Sequence, residues 1–240
     1  MTRRLHVPRS RIAGGRARLE PAEWHYLRRV LRLQPGAPLE ILDGEGGVHD
    51  ASLPAEDREI DLGPRRVVPP PRATVWLAFA PPRGDRADLV VEKAVELGVS
   101  RILPFHAVRS VVRLDPGRGA ARAQRWRRIA SAAARQSGRA DVPGVDEPAP
   151  LAAALAAAPE GFRRVVFYEG GGEPLAAALD PAAPGHLAVV GPEGGFALEE
   201  VAACAAAGAR VATLGPRVLR AETAAIAAVA LLQHRLGDLG

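Results

Sequence analysis

The chain has 240 residues, 48% of them apolar and 25% charged, which suits one large domain or a small one beside a medium one and excludes a disordered chain. No apolar stretch reaches the length of a membrane span, and the N-terminus (Arg3, Arg4, Arg9, Arg11, Arg16 and Arg18, with no acid among them) lacks the apolar segment of a secretory leader, so it reads as mature protein of a reducing cytoplasm. The net charge of +5 is moderate, and the single cysteine, Cys204, excludes an internal disulfide and a cysteine-based zinc site.

In chain order, the first seventy residues predict a small β-rich unit. PAEWHYLRRVLR (Pro21 to Arg32) reads as a short helix with proline near its start. LEILD, GVHDASL and REIDLG then alternate between apolar and polar, separated by DGEG and PAED turns, as in a meander of short strands. Pro69, Pro70 and Pro71 cannot join a central strand and mark a domain boundary, giving domains over 1–71 and 72–240.

Beyond the prolines the pattern changes. TVWLAFA is a continuous apolar strand, and RADLVVEKAVELG is a helix with Leu89, Val90, Ala94 and Leu97 on one side and Gly98 as its stop. SRILPF is a second strand and GAARAQRWRRIASAAARQSGR a long helix. RRVVFYE, HLAVVG and RVATLG are three more strands, separated by helical stretches at PLAAAL and ALEEVAACAAAG, and a last helix runs from about Ala221 to Arg235. Continuous apolar strands alternating with helices predict an α/β fold, a parallel sheet covered on both faces. Ligands bind such sheets outside the carboxyl ends of the strands. GPEGGF and LGPRVLRAET lie at two such ends, expected to be neighbouring strands.

Familiar nucleotide signatures are missing. No G-x-G-x-x-G follows a strand, and there is neither a phosphate-binding G-x-x-x-x-G-K-[ST] nor a G-x-S-x-G elbow. The six histidines show no metal spacing, so no metal is expected. In GPEGGF, Gly191, Gly194 and Gly195 let backbone approach a ligand closely, or simply make a tight strand-to-helix turn. In LGPRVLRAET, Leu214, Val218 and Leu219 make an apolar wall in what should be a polar loop, suited to a flat base. Arg220 and Glu222 are either reactive groups or an ion pair capping the helix.

Lys93 is the only lysine, set between Glu92 and Glu96, where an ordinary surface pair would satisfy it. The long helix carries Arg118, Arg122, Arg125, Arg128, Arg135 and Arg139 on roughly one side, either a solvated face or a phosphate-binding stripe. Since nearly all bases are arginine, basicity by itself is weak evidence for nucleic acid. Aromatics at 4% argue against a module that stacks single-stranded bases.

Together, V-E-K-A-V-E-L-G-V, A-R-Q-S-G-R, V-V-G-P-E-G-G-F and L-G-P-R-V-L-R-A-E-T-A-A, in this order, resemble the bacterial 16S rRNA (uracil-N3)-methyltransferases, the RsmE type of the SPOUT superfamily. HYLRRVLR and ILDGEGG are similar to that family's PUA-like barrel. The resemblance implies a PUA-like RNA-binding β-barrel over 1–71 and, over 72–240, a SPOUT domain with a C-terminal trefoil knot, which patterning alone would argue against. It implies S-adenosylmethionine bound by Tyr168, Val190, Gly191, Pro192, Glu193, Gly194, Leu214, Gly215, Pro216, Val218 and Leu219. It implies methyl transfer to N3 of a uridine in 16S rRNA, with Arg220, Glu222 and Thr223 at the chemistry. RNA is expected at Arg28, Arg29, Arg32, Arg83, Lys93, Arg109, Arg135, Gln136 and Arg139, on a cytoplasmic homodimer. The family often has threonine where Ala221 stands, and commonly lysine where Arg86 stands, so neither position carries over a role. The other readings are a SPOUT enzyme acting on another RNA position, such as a ribose 2′-hydroxyl, and a non-catalytic PUA-type RNA-binding protein.

Overall fold

The structure, a computed structural model, describes residues 3–110 and 116–240. By backbone packing the chain falls into two units, one of residues 1–70 with 131–142 and one of 71–130 with 143–240. The prolines at 69–71 give no hint that residues 131–142 pack with the first unit.

In the first unit, β1 (Arg3–His6), β4 (Pro38–Leu42), β5 (Gly47–Ser52) and β7 (Arg66–Val67) form one sheet in that order. A second sheet joins β2 (Ile12–Ala13), β3 (Arg16–Arg18) and β6 (Glu59–Asp61). The expected meander is therefore broken: β4 and β5 pair as a hairpin, but β6 pairs with β3. Leu5, Val7, Leu27, Leu39, Ile41, Leu53 and Ile60 make the core between the elements. Asp43 shapes the DGEG turn. Its Oδ1 accepts the backbone N–H groups of Glu45 and Gly47 at 2.8 and 2.7 Å, and its Oδ2 accepts Arg65 Nε at 2.6 Å. Burial raises the carboxyl's pKa, but Arg65 and the two N–H groups outweigh this and hold it below the ordinary aspartate range.

PAEWHYLRRVLR is helical in two parts, α1 (Pro21–His25) and a π-helical turn over Tyr26–Val30, closed by Leu31 N–H on Tyr26 O at 2.8 Å. The wide turn seats Leu27 in the core with Leu31 packed against it, and Arg32, at φ 52°, ends it. Spacing along the sequence carries no signal for such a turn.

The second unit holds one sheet in the order β10 (Gly144–Val145), β9 (Arg101–His106), β8 (Val75–Phe79), β14 (His186–Val190), β12 (Arg163–Phe167), β15 (Arg210–Thr213), β13 (Glu173–Pro174). All these pairings are parallel, and β11 (Ala149–Pro150) also joins β9. The helices are α2 (Arg86–Glu96), α3 (Pro116–Ser137), α4 (Leu151–Ala156), α5 (Leu175–Ala178), α6 (Leu198–Ala206) and α7 (Ala221–Leu236). α3 starts in this unit, and its last turns belong to the first. Every residue of β14 is buried, as a strand covered on both faces requires. α7 packs against α2, β8 and β14, and Gln233 Nε2 donates to Gly98 O at 2.9 Å. On α2 the buried residues are Ala87, Val90, Val91, Ala94 and Val95, whereas Leu89, expected inward, is exposed. The 87, 90/91, 94/95 spacing places the buried stripe further round the helix than the sequence reading drew it.

One expectation about the loops is corrected. β14 and β15 are not neighbours, because β12 lies between them. β12 therefore presents its carboxyl end between those of β14 and β15.

Candidate active site

Parallel pairing aligns the ends of β8, β14, β12 and β15. The segments following them converge on a cavity of about 490 Å³ in the second unit, a size typical of small-molecule sites.

The GPEGGF loop is fixed by close contacts. A Cβ at Gly191 would come within 2.9 Å of the Phe196 ring, so only glycine fits there. Phe196 is buried and stacks on Phe105 at 6.1 Å, anchoring the loop to the core. Gly195 N–H on Pro192 O at 2.9 Å closes the turn. Glu200 in the first turn of α6 accepts Ala197 N–H at 2.9 Å and Val108 N–H at 2.8 Å, so the acid does structural work here.

The second loop starts at Thr213, whose hydroxyl accepts Gly215 N–H at 3.1 Å. Gly215 sits at φ 105°, in the region that favours glycine. The apolar residues that follow are not drawn into the core: Val218 is 80% exposed, and with Leu214 and Leu219 it walls the cavity. Exposure of a large aliphatic side chain in a loop is otherwise disfavoured, and a ligand against this wall would relieve it.

Six charged residues line the same cavity: Arg86, Glu169, Glu193, Arg217, Arg220 and Glu222. Arg86 Nη1 donates to Glu193 Oε1 at 2.7 Å, and Arg86 Nε lies 3.7 Å from Glu222 Oε1. Glu222 is buried, and its Oε2 has no hydrogen-bond partner among the described residues. Arg220 is exposed and forms no ion pair among the described residues. The alternative expectation of an Arg220–Glu222 pair capping α7 is thus overturned, because the acid is taken up by a cation from α2.

Of the expected cofactor residues, Tyr168, Val190, Gly191, Pro192, Glu193, Leu214, Gly215, Val218 and Leu219 line the cavity. Gly194 and Pro216 belong to the same loops but not to the lining; a Cβ at Gly194 would meet Arg109 at 3.2 Å. Arg220 and Glu222 line it as well, whereas Thr223 is exposed and does not. The sequence reading named Arg86, Gly195 and Ala221 without placing them in the site, and missed Phe167, Glu169, Thr213, Arg217 and Ala224. A signal existed for Arg86, since RGDRAD follows the end of a continuous apolar strand.

The expected RNA residues divide between the units. Arg83, Lys93 and Arg109 are in the second, where Lys93 is held by Glu92 and Glu96 at 2.8 and 2.9 Å. Arg28, Arg29, Arg32, Arg135, Gln136 and Arg139 are in the first. There Arg28 lies over the Trp24 ring and Arg135 over the Tyr26 ring. Arg139, expected on the long helix, lies just beyond the end of α3 and pairs with Asp141 at 2.6 Å, and in the second unit Arg125 of α3 pairs with Asp88 at 2.7 Å, so part of the expected arginine stripe is already neutralised. Cys204 is fully buried, and burial pushes its thiol up to about 11, in keeping with a packing role.

Residues 69–233 match the family described as RNA methyltransferase domain, and residues 19–60 that described as RNA methyltransferase PUA domain. The ribosomal RNA small subunit methyltransferase E of Synechocystis is 35% identical over 154 residues, 62% of this chain and 48% of that protein, so the match spans about half of that relative. The protein of that name from Neisseria gonorrhoeae, solved with bound S-adenosyl methionine, is 30% identical with a TM-score of 0.89, covering 100% of both chains. A Legionella pneumophila protein described as a methyltransferase, solved with the cofactor SAM, is 29% identical with a TM-score of 0.88, again over 100% of both chains.

Proposed function

This chain belongs to the RNA methyltransferase family of the RsmE type, and on that premise we propose that it uses S-adenosylmethionine to methylate N3 of a uridine in 16S rRNA of the small ribosomal subunit. The observation that carries the reading is one cavity, at the carboxyl ends of parallel strands, where a partly exposed apolar wall meets a buried carboxylate oxygen and an arginine, both without a partner among the described residues.

The residues present suit the cofactor. Leu214, Val218 and Leu219 offer an apolar face for adenine, and Gly191 and Gly215 keep the backbone bare beside it. Bound S-adenosylmethionine supplies a methyl group activated by its sulfonium. The chain's own tasks are positioning and the removal of one proton, since uracil N3 holds a proton at neutral pH and is a poor nucleophile until it loses it. Glu222 Oε2 is an acceptor without a donor, buried at the cavity. The N3–H of a uracil satisfies it and yields its proton to it. Arg220, unpaired and exposed, stabilises the negative charge that develops on the flanking carbonyl oxygens.

Around this centre the proposal includes a trefoil knot in a SPOUT domain over 72–240 and a PUA-like RNA-binding barrel over 1–71. The chain order β12, β14, β15 against the sheet order β14-β12-β15 is compatible with the knot. Arg28, Arg29, Arg32, Arg135, Gln136 and Arg139 of the first unit, with Arg83, Lys93 and Arg109 of the second, are proposed to hold RNA, and the working form is proposed to be a cytoplasmic homodimer. The test is labelled methyl transfer to small subunits from a strain lacking the gene, followed by mapping of the modified nucleotide. Label on N3 of one 16S uridine supports the reading, label on a ribose 2′-hydroxyl replaces it, and no transfer removes it.

A further inference from the structure

We propose that Arg86 is a positioning residue for methyl transfer: it holds Glu222 from one side, so that the second carboxylate oxygen is presented to the substrate and Arg220 is left free. The inference rests on the reading of Glu222 as proton acceptor and adds the residue that makes that reading workable.

Three observations carry it. Arg86 faces two carboxylates that line the cavity, hydrogen-bonding Glu193 of GPEGGF at 2.7 Å and pairing with Glu222 at the start of α7 at 3.7 Å. Only one oxygen of Glu222 is engaged, and Oε2 remains buried without a partner. A buried polar atom left unmatched calls for an explanation, and a site awaiting a donor is one. Finally, Arg86 is the first residue of an eleven-residue helix. The positive end of the helix dipole disfavours a cation there. Its neighbours Asp85 and Asp88 follow the electrostatic rule, and Arg86 breaks it. Residues that violate a local rule concentrate where function requires them.

The arrangement has a consequence for how the site works. Glu193 belongs to the loop expected to meet the cofactor, and Glu222 to the helix expected to meet the base. A single guanidinium joins them, so a shift of the GPEGGF loop is transmitted to the proton acceptor. Two carboxylates in one cavity would also repel each other, and the arginine between them offsets that repulsion.

The experiment compares Arg86→Gln, Arg86→Lys, Glu222→Gln and the double variant Arg86→Gln/Glu222→Gln. Turnover at saturating RNA and cofactor is expected to fall on the order of 10- to 100-fold in Arg86→Gln, the scale of a misplaced catalytic group. Cofactor affinity by calorimetry and KM for RNA should hold, and Arg86→Lys should recover most of the rate by keeping a cation. The double variant should be no slower than Glu222→Gln alone, because the two residues act as a unit. Parent turnover in Arg86→Gln, or losses that multiply independently in the double variant, would overturn the proposal. A second arm needs no activity. The urea midpoint should fall in Arg86→Gln, which leaves a buried carboxylate facing no cation, and recover in part when Glu222→Gln is added, the lost Glu193 contact remaining. Independent shifts in that arm would also overturn it. If the parent protein methylates no RNA, the proposed function falls, and the unfolding arm still decides whether Arg86 holds Glu222.

Discussion

Arg220 and Glu222, two positions apart at the start of α7, do not pair with each other: the nearest cation to Glu222 is Arg86 Nε, 3.7 Å from Oε1. Adjacent opposite charges at a helix start usually read as a local pair. Here the pairing partner comes from more than a hundred positions earlier in the chain, and Arg220 is left available to a ligand.

Glu222→Gln keeps the shape of the side chain and removes the base. Methyl transfer is expected to fall by about 100-fold or more, with cofactor and RNA binding unchanged and part of the rate restored at higher pH. Arg220→Ala should also lose activity severely. A Glu222→Gln enzyme that works at the parent rate, with the same pH profile, would show the carboxylate to be structural.

Gly215→Val should abolish cofactor binding with the fold retained. No atom lies within 4 Å of a Cβ built there, so the pocket does not exclude the new side chain sterically. The backbone does: φ of 105° is strained for any branched residue, and the loop must rearrange where the ligand is to lie. Calorimetric titration with S-adenosylmethionine on the folded variant decides it, and unchanged affinity would remove the assignment.

RNA affinity should fall steeply with salt, as phosphate contacts require. Replacing Arg28 and Arg29 by alanine should weaken binding and flatten the slope of log K against log salt by roughly one unit per lost contact. Filter binding across a salt series measures both, and an affinity that ignores salt would contradict the phosphate assignment.

The protein should run as a dimer in light scattering at micromolar concentration. α7 buries Ala225, Ala228, Val229 and Leu232 within its own chain, yet Leu231 remains 38% exposed and Ile226 is only partly covered. A helix apolar on several sides is usually buried on several sides. A monomeric mass would count decisively against the dimer.

Asp43→Asn should destabilise the N-terminal unit by about 2 kcal/mol or more, because the side chain is fully buried and hydrogen-bonded to Arg65 and two backbone amides. The carboxyl's folded pKa is depressed, so its contribution is present above the unfolded value and is lost as pH falls through the folded one. The parent should therefore lose more stability on acidification than the variant. Urea unfolding at neutral and acidic pH compares the two, and equal acid sensitivity would contradict the role given to this turn.

The sequence by itself determined the main strands and helices of the second unit and the location of the chemistry. The continuous apolar run HLAVV reads as a strand buried on both faces, as β14 is, and ligand loops on such sheets follow the strand ends, so GPEGGF and LGPRVLRAET were legible as candidate ligand loops. The apolar run Leu214, Val218 and Leu219 was legible because a loop has no local reason to carry it. What the tertiary structure decided is which distant groups meet. Strand order is set by long-range pairing, and it inserted β12 between β14 and β15, bringing Phe167, Tyr168 and Glu169 into the cavity. The π-helical turn at Tyr26–Val30 answers to the packing of Leu27 and Leu31, not to local propensity. Whether Glu222 pairs with Arg220 or Arg86 depends on where α2 ends up against α7, and an ion pair across that packing leaves no mark in the spacing of either segment.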